Sequence, residues 1–225
     1  MWVVILCGGR GARLNGERPK PLIEIGGRPI VWHVVSMYAA RGFRRFLLLT
    51  GHRGEEVAAF SDWPAGVRVE CVDTGADTPT GGRVHRVRER LAEPFCLTYA
   101  DGVADLDLLA LRDRHAASGA LATITVVRPE LPFGVARLDG GDRVSGFREK
   151  PRSEHWVNGG FMVLEPAALG YLREDSVLER EPLERLAADG ALGAYRHTGF
   201  WRCMDTHQDA VALEDLWNSG APPWS

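Results

Sequence analysis

Two lysines occur among the 27 lysine and arginine residues of this chain, Lys20 and Lys150, and each is followed at once by proline. Lysine carries a compact ammonium on a flexible stem, whereas arginine is a planar fork. An ammonium can follow a phosphate as it moves, so both positions are candidate phosphate contacts. Lys20 stands in Arg18-Pro19-Lys20-Pro21, whose prolines fix the backbone on either side. Just upstream lies Leu6-Cys7-Gly8-Gly9-Arg10-Gly11-Ala12-Arg13-Leu14. Its glycines let backbone N–H groups turn toward an anion, and Arg10 and Arg13 add positive charge. A plain turn is the bland alternative. A dinucleotide fingerprint needs a third glycine opening a helix and an acid after the second strand, and neither Leu14 nor Leu49-Thr50-Gly51-His52 supplies them. A Walker loop needs Gly-Lys-Ser/Thr, which is absent. What remains is a cradle for a nucleoside triphosphate, completed by Lys20.

Two carboxylates suit a divalent cation at that cradle. Asp101 lies just past an apolar run, in Thr98-Tyr99-Ala100-Asp101-Gly102, and Asp205 lies in Trp201-Arg202-Cys203-Met204-Asp205-Thr206. Magnesium commonly takes one or two carboxylates plus substrate phosphates. The alternatives are an Asp-Gly turn for Asp101 and a helix N-cap or first-turn acid for Asp205. Lys150, in Phe147-Arg148-Glu149-Lys150-Pro151, is either a solvated strand end or the holder of a sugar phosphate, with Glu149 accepting from sugar hydroxyls. Asn158-Gly159-Gly160 would let a flat ligand approach the backbone. Phe133, Trp156, Phe200 and Trp201 would wall a sugar site or serve the core.

These residues need a scaffold that gathers them at one edge. Trp2–Leu6, Phe46–Thr50, Arg68–Val72 and Phe95–Tyr99 read as buried strands. They alternate with helical patterns after Pro29, over Gly82–Leu91 and over Leu106–Ala117. Such alternation predicts a Rossmann-like α/β fold, with a mostly parallel sheet flanked by helices. Ligands of such sheets bind beyond the carboxyl ends of the strands, which puts Gly8–Lys20 and Asp101 on one rim. Past Thr123–Val127 the texture changes. Val135–Leu138, Val144–Arg148 and Asn158–Leu164 read as short antiparallel strands between Gly/Asp/Pro turns. Glu181–Asp189 reads as a helix, Leu192–His197 as a strand and Thr206–Trp217 as a closing amphipathic helix. The expectation is one domain over 1–225, with a nucleotide half (1–127) and a sugar-phosphate half (128–225).

A net charge of −3 and a pI near 6.2 argue against a nucleic-acid surface. The four cysteines are dispersed without a CxxC pair, so free thiols in a reducing compartment are expected. Met1–Leu6 is too short for a signal h-region, and no run reaches membrane-spanning length. The cytoplasm is the expected location.

Together these segments resemble the sugar-1-phosphate nucleotidyltransferases, most closely the glucose-1-phosphate cytidylyltransferases. The resemblance runs along nearly the whole chain: CGGRGARL, KPLIEIGGRPIVWH, VDTG, TPTGGRVHRV, FCLTYADGVADLDL, FGVARL, FREKP, VNGGFMVLEP and GFWRCMDT. The first loop and EKP mark the broader superfamily, whereas VDTG with TGGR, NGGFMVLEP and GFWRCMDT point to the cytidylyl branch. The resemblance implies that Leu6, Gly8, Gly9, Arg10, Gly11, Arg13 and Lys20 contact the nucleotide, with Thr80, Gly81, Gly82 and Arg83 near the base. It implies that Asp101 and Asp205 bind Mg2+, and that Gly134, Glu149, Lys150, Asn158, Gly159 and Trp201 hold the sugar phosphate. Arg13, Lys20, Asp101 and Lys150 are then the catalytic set. A homo-oligomer and a place in surface-polysaccharide or glycosylated-metabolite synthesis are further implications. Three departures stand out: Ala12 where threonine is usual, Ala100 where glycine is usual, and a short Phe60–Val72 segment.

The expected reaction is attack by a sugar-1-phosphate oxygen on the α-phosphorus of CTP, expelling pyrophosphate. The second ionisation of a phosphate monoester falls at about 6, so the nucleophile is already anionic near neutral pH and needs no general base. The competing readings are UTP, dTTP or GTP as donor, another hexose- or heptose-1-phosphate as acceptor, a catalytically silent regulatory homologue, and a dinucleotide-dependent oxidoreductase.

Overall fold

Val3 to Leu6 are buried in strand β1 (Trp2–Leu6), as an apolar run without polar alternation requires. The computed structural model of the chain describes residues 1–9 and 18–225. After β1 come the paired β2 (Glu24–Ile25) and β3 (Arg28–Pro29), helix α1 (Ile30–Ala40), β4 (Arg45–Thr50), α2 (Gly54–Ala59), β5 (Arg68–Asp73) and α3 (Thr80–Arg86). Next are β6 (Phe95–Tyr99), β7 (Gly102–Ala104), α4 (Leu108–Ser118), β8 (Ala122–Val127), β9 (Val135–Leu138) and β10 (Val144–Arg148). The order closes with β11 (Val157–Leu164), α5 (Glu181–Ala188), β12 (Leu192–Arg196), β13 (Trp201–Cys203) and α6 (His207–Asn218).

Seven strands form one sheet in the order β12-β8-β11-β6-β1-β4-β5. β1 pairs in parallel with β4 and β6, β4 with β5, and β8 with β12. β11 runs antiparallel to both β6 and β8. The carboxyl ends of β1, β4, β5, β6, β8 and β12 therefore share a rim with the amino end of β11. Alternation along β1 serves both faces. Val3 and Ile5 join a core with Val31 and Val34 of α1, Leu111 of α4 and Leu213 of α6. Val4 and Leu6 join a second core with Val84 of α3 and Leu183 and Leu186 of α5.

The second-half strands divide differently from expectation. β9 and β10 form their own two-stranded sheet, but the third expected member, β11, belongs to the main sheet. Its run Phe161–Leu164 is buried between β6 and β8, where an apolar strand gains most from leaving water. The helix expected over Gly82–Leu91 stops at Arg86 and gives way to a single 3₁₀ turn, Arg88–Arg90. Helix α4 is capped by the Asp107 side chain, which accepts from Leu109 N and Ala110 N, and closes on Gly119 at φ 68°.

One small pairing matters most for chemistry. β13 and β7 are antiparallel, with Cys203 opposite Gly102, and Met204 N donates to Asp101 O at 2.9 Å. Three residues on each strand thus carry Asp205 to Asp101 across the length of the second half.

Candidate active site

Lys20 sits in the 3₁₀ turn Lys20–Leu22, entered from Pro19 at φ −55°. Its ammonium lies 2.5 Å from Asp101 Oδ2 and 2.7 Å from Asp205 Oδ1. Burial alone would lower its pKa, but the Asp101 charge and the hydrogen bonds the ammonium donates to both carboxylates reverse that and leave it raised. The ammonium therefore stays charged at neutral pH. Asp205 is not the N-cap of α6, because Thr206 takes that task. The Thr206 hydroxyl accepts from Asp209 N, while the Asp209 carboxylate accepts from the N-cap backbone in a capping box. That leaves the Asp205 carboxylate turned to the Lys20 ammonium.

These three residues edge a cavity of about 390 Å³, in the range that holds small ligands. Leu6, Gly8, Gly9, Thr80 and Arg83 line it as well, with Ala100 beside Asp101. The strand ends explain this gathering: Leu6 ends β1, Tyr99 ends β6, and α3 begins at Thr80 after β5. Thr80 Oγ1 donates to Glu179 Oε2 at 2.7 Å and accepts from Leu178 N at 2.9 Å. Arg83 points inward and bonds carbonyl oxygens of the surrounding loops. Gly81 and Gly82 do not line the cavity. A Cβ on them would lie 2.8 Å from Ser176 O and 2.1 Å from Glu174 O, so both glycines admit the close approach of the 174–176 segment. Arg10, Gly11, Ala12 and Arg13 lie outside the described residues.

The residues expected to hold the sugar phosphate form two groups beyond this cavity. Gly134 abuts Phe147 and Glu149: a Cβ on it would lie 2.3 Å from the Phe147 ring and 2.8 Å from Glu149 Oε2. Lys150 is exposed and holds φ at 44°, a left-handed conformation uncommon outside glycine. It forms no ion pair among the described residues and does not line the cavity. Asn158 Oδ1 accepts from Gly160 N at 3.0 Å, within a register shift of β11, and Trp201 Nε1 donates to Gly159 O at 2.8 Å. The space expected to admit a flat ligand at these glycines is filled from within. A Cβ on Gly160 would strike the Tyr99 ring at 2.6 Å, and one on Gly159 would meet Trp201 at 3.5 Å. Tyr99 lines the cavity, so the irregular stretch of β11 reaches the cavity through that ring.

The nucleotidyl transferase family model matches residues 2–192. The chain belongs to the nucleotidyl transferase family. It is 41% identical to a glucose-1-phosphate cytidylyltransferase of Salmonella typhi, covering 100% of this chain and 98% of the relative. It is 36% identical to a probable glucose-1-phosphate cytidylyltransferase of Bacillus subtilis strain 168, covering 100% and 99%. The Salmonella alignment spans 254 positions against 225 residues here, so the relative carries stretches that this chain lacks. The crystal structure of HddC from Yersinia pseudotuberculosis complexed with GMP-PN superposes with a TM-score of 0.75 at 19% identity, covering 96% of this chain and 99% of that one. It supports the fold.

Within this nucleotidyl transferase, the carboxylates fit a hard divalent cation. Donor atoms of Asp101, Asp205 and Cys203 all lie within 4.8 Å of one another, and the two carboxylates supply the oxygens that magnesium prefers. The Lys20 ammonium already sits between them, so the position stabilises positive charge. Cys203 was not among the expected site residues. Its Sγ lies 3.4 Å from Asp205 Oδ2, and burial, then the charges of Asp101 and Asp205, push the thiol pKa up. Thr78, Pro79 and Tyr99 were missed as well. Tyr99 was the most accessible of them to inspection, being the last residue of β6 before Asp101. All four cysteines are free, and Cys7 and Cys96 are buried as expected. Among the described residues no helix is long and apolar enough to cross a membrane.

Proposed function

We propose that this enzyme transfers the cytidylyl group of CTP to glucose-1-phosphate, giving CDP-glucose and pyrophosphate, with Mg2+ held by Asp101 and Asp205. The observation that carries the reading is the Lys20 ammonium bound to both carboxylates at the edge of a cavity lined by the Gly8–Gly9 loop. The full-length similarity to cytidylyltransferases supports the choice of substrates.

The chemical problem is to bring two anions together. Unit charges about 4 Å apart repel by roughly 4 kcal/mol at an effective dielectric of 20. Bound magnesium would neutralise phosphate charge as a Lewis acid. The chain's own residues do the rest. Lys20, released from the carboxylates, follows the phosphates of the leaving pyrophosphate. Lys150 holds the sugar phosphate and Glu149 accepts from sugar hydroxyls, with Asn158, Gly159 and Trp201 shaping that side. Preorganised charge of this kind stabilises the transition state without a side-chain base.

The nucleotide half is assigned to 1–127 and the sugar-phosphate half to 128–225 of one domain. A homo-oligomer in the cytoplasm is the assembly this reading carries. Its support is the β9–β10 sheet, where Leu138, Val144 and Phe147 are each about 60% exposed. Sedimentation of a monomer at micromolar concentration would remove that part. For the reaction, the enzyme is incubated with CTP and glucose-1-phosphate and the product is resolved by anion-exchange chromatography. CDP-glucose is expected to appear in equal amount to pyrophosphate. CTP hydrolysis to CMP without CDP-glucose would refute the transfer.

A further inference from the structure

Arg83 is 4% exposed, yet all its hydrogen bonds among the described residues go to neutral oxygens. Nη1 donates to Thr50 O at 2.8 Å, Thr74 Oγ1 at 2.7 Å and Gly75 O at 2.8 Å. Nη2 donates to Gly8 O at 3.0 Å and Ala76 O at 3.4 Å. A buried cation is costly unless its hydrogen bonds are filled, and here they tie together three chain segments that meet at the rim. Two glycines make room for it. A Cβ on Gly8 would lie 2.1 Å from Arg83 Cζ, and one on Gly51 would lie 2.4 Å from Nη1. The guanidinium therefore occupies a corridor that only glycine leaves open on both sides.

The contact with Gly8 has a geometric consequence. In a trans peptide the carbonyl and the following N–H point to opposite sides. Holding the Gly8 carbonyl on Arg83 turns the Gly9 N–H away from it. Gly9 is exposed, and among the described residues a Cβ built there meets nothing within 4 Å, which leaves an anion room beside it on that side. A backbone N–H fixed in direction before the ligand arrives is a preorganised donor.

We propose that Arg83 is a positioning residue that orients the Gly8–Gly9 peptide toward the nucleotide's phosphates, and that it does not read the base. The inference rests on the nucleotide-binding reading above. It requires that losing Arg83 weaken any triphosphate, whatever is attached to it. A base contact would weaken CTP and spare inorganic tripolyphosphate.

The test is calorimetric titration of wild type, Arg83→Lys and Gly8→Ala with CTP and, separately, with inorganic tripolyphosphate. Far-ultraviolet circular dichroism checks the fold of each variant. Arg83→Lys keeps the charge and loses the fork. Gly8→Ala drives a methyl into the guanidinium from the loop side, so it decides the matter if Arg83→Lys does not fold. Both are expected to weaken the two ligands alike, by roughly tenfold or more, the size of one lost charge-assisted hydrogen bond. The KM for the sugar phosphate is expected to stay at the wild-type value, which general damage to the protein would not allow. Wild-type tripolyphosphate affinity in the folded variants, or a loss confined to CTP, overturns the proposal. If the wild type binds neither ligand, the nucleotide reading itself falls and takes this inference with it.

Discussion

Replacing Lys20 with methionine removes one charge and keeps most of the side chain's bulk. It exposes the electrostatics of the metal-free site. Asp101 and Asp205 have donor oxygens within 4.8 Å of each other. At that separation, and at an effective dielectric of 20, two unit negative charges repel by about 3.5 kcal/mol. The Asp205 side chain is 51% exposed, so solvent screens part of that and about 1–2 kcal/mol is the expected loss of stability. For a chain of this size that lowers the unfolding midpoint by roughly 2–8 °C. In the wild type an incoming cation must displace the ammonium from both carboxylates, whereas in Lys20→Met no ammonium competes for them. Millimolar Mg2+ without nucleotide should therefore raise the midpoint of the variant more than that of the wild type. Adding Asp205→Asn should restore much of the lost stability and abolish the extra metal response, because the repulsion is a property of the pair. Scanning calorimetry on the wild type, the Lys20→Met and Asp205→Asn single variants and the double variant, each with Mg2+ and with chelator, measures this. Equal midpoints for wild type and Lys20→Met in chelator, or equal magnesium shifts, would refute the reasoning.

Three further outcomes follow from particular residues. Asp101→Asn should lower turnover about a hundredfold or more, the usual cost of one preorganised electrostatic group, and retention of more than a tenth of wild-type activity would take Asp101 out of the mechanism. Lys150 holds a left-handed backbone ahead of a proline, so Lys150→Gly should unfold no earlier than Lys150→Ala while both raise the KM for sugar phosphate. A glycine variant less stable than the alanine variant would show that the conformation carries no strain. His33 is buried, its Nε2 bonded to Ile25 O at 2.8 Å and its Nδ1 accepting from Trp224 Nε1 at 3.2 Å, which fixes the neutral ring. Burial lowers its pKa, outweighing the hydrogen bonds to the Ile25 and Arg28 backbone and the charge of Glu214, all of which raise it; Arg28's own charge lowers it further. The folded state thus binds fewer protons than the unfolded chain below about pH 6.5, so stability is full above that pH and falls with acidification. Thermal midpoints between pH 7 and 5 should drop less for His33→Gln than for the wild type; parallel curves would contradict the assignment.

Much of the scaffold was legible because its strands are continuous apolar runs and its helices have clear ends. β1, β6, β9 and β10 fall where the residues predict them, and the carboxyl-end rule puts Gly8 and Asp101 on one rim. The placement of β11 was not legible, since an apolar strand looks the same at the middle of a mixed sheet as in a small antiparallel group. The Lys20–Asp101–Asp205 contact was anticipated as chemistry but not as an ion pair. It depends on the three-residue pairing of β7 with β13, which has no local pattern. Thr206 and Asp209 carried a readable capping signal, and weighing it would have freed Asp205 from the N-cap alternative. Arg83 was expected near the base, but its buried bonding role lay beyond reach, because its acceptors come from the end of β4 and the loops after β1 and β5, which only the fold brings together.

The most direct measurement of the central claim is pyrophosphate release across a matrix of CTP, UTP, dTTP and GTP against hexose- and heptose-1-phosphates, with Mg2+ or chelator. Release that requires both substrates and the metal, and is fastest for CTP with glucose-1-phosphate, is the predicted result. A folded protein that releases no pyrophosphate with any pair would contradict the account.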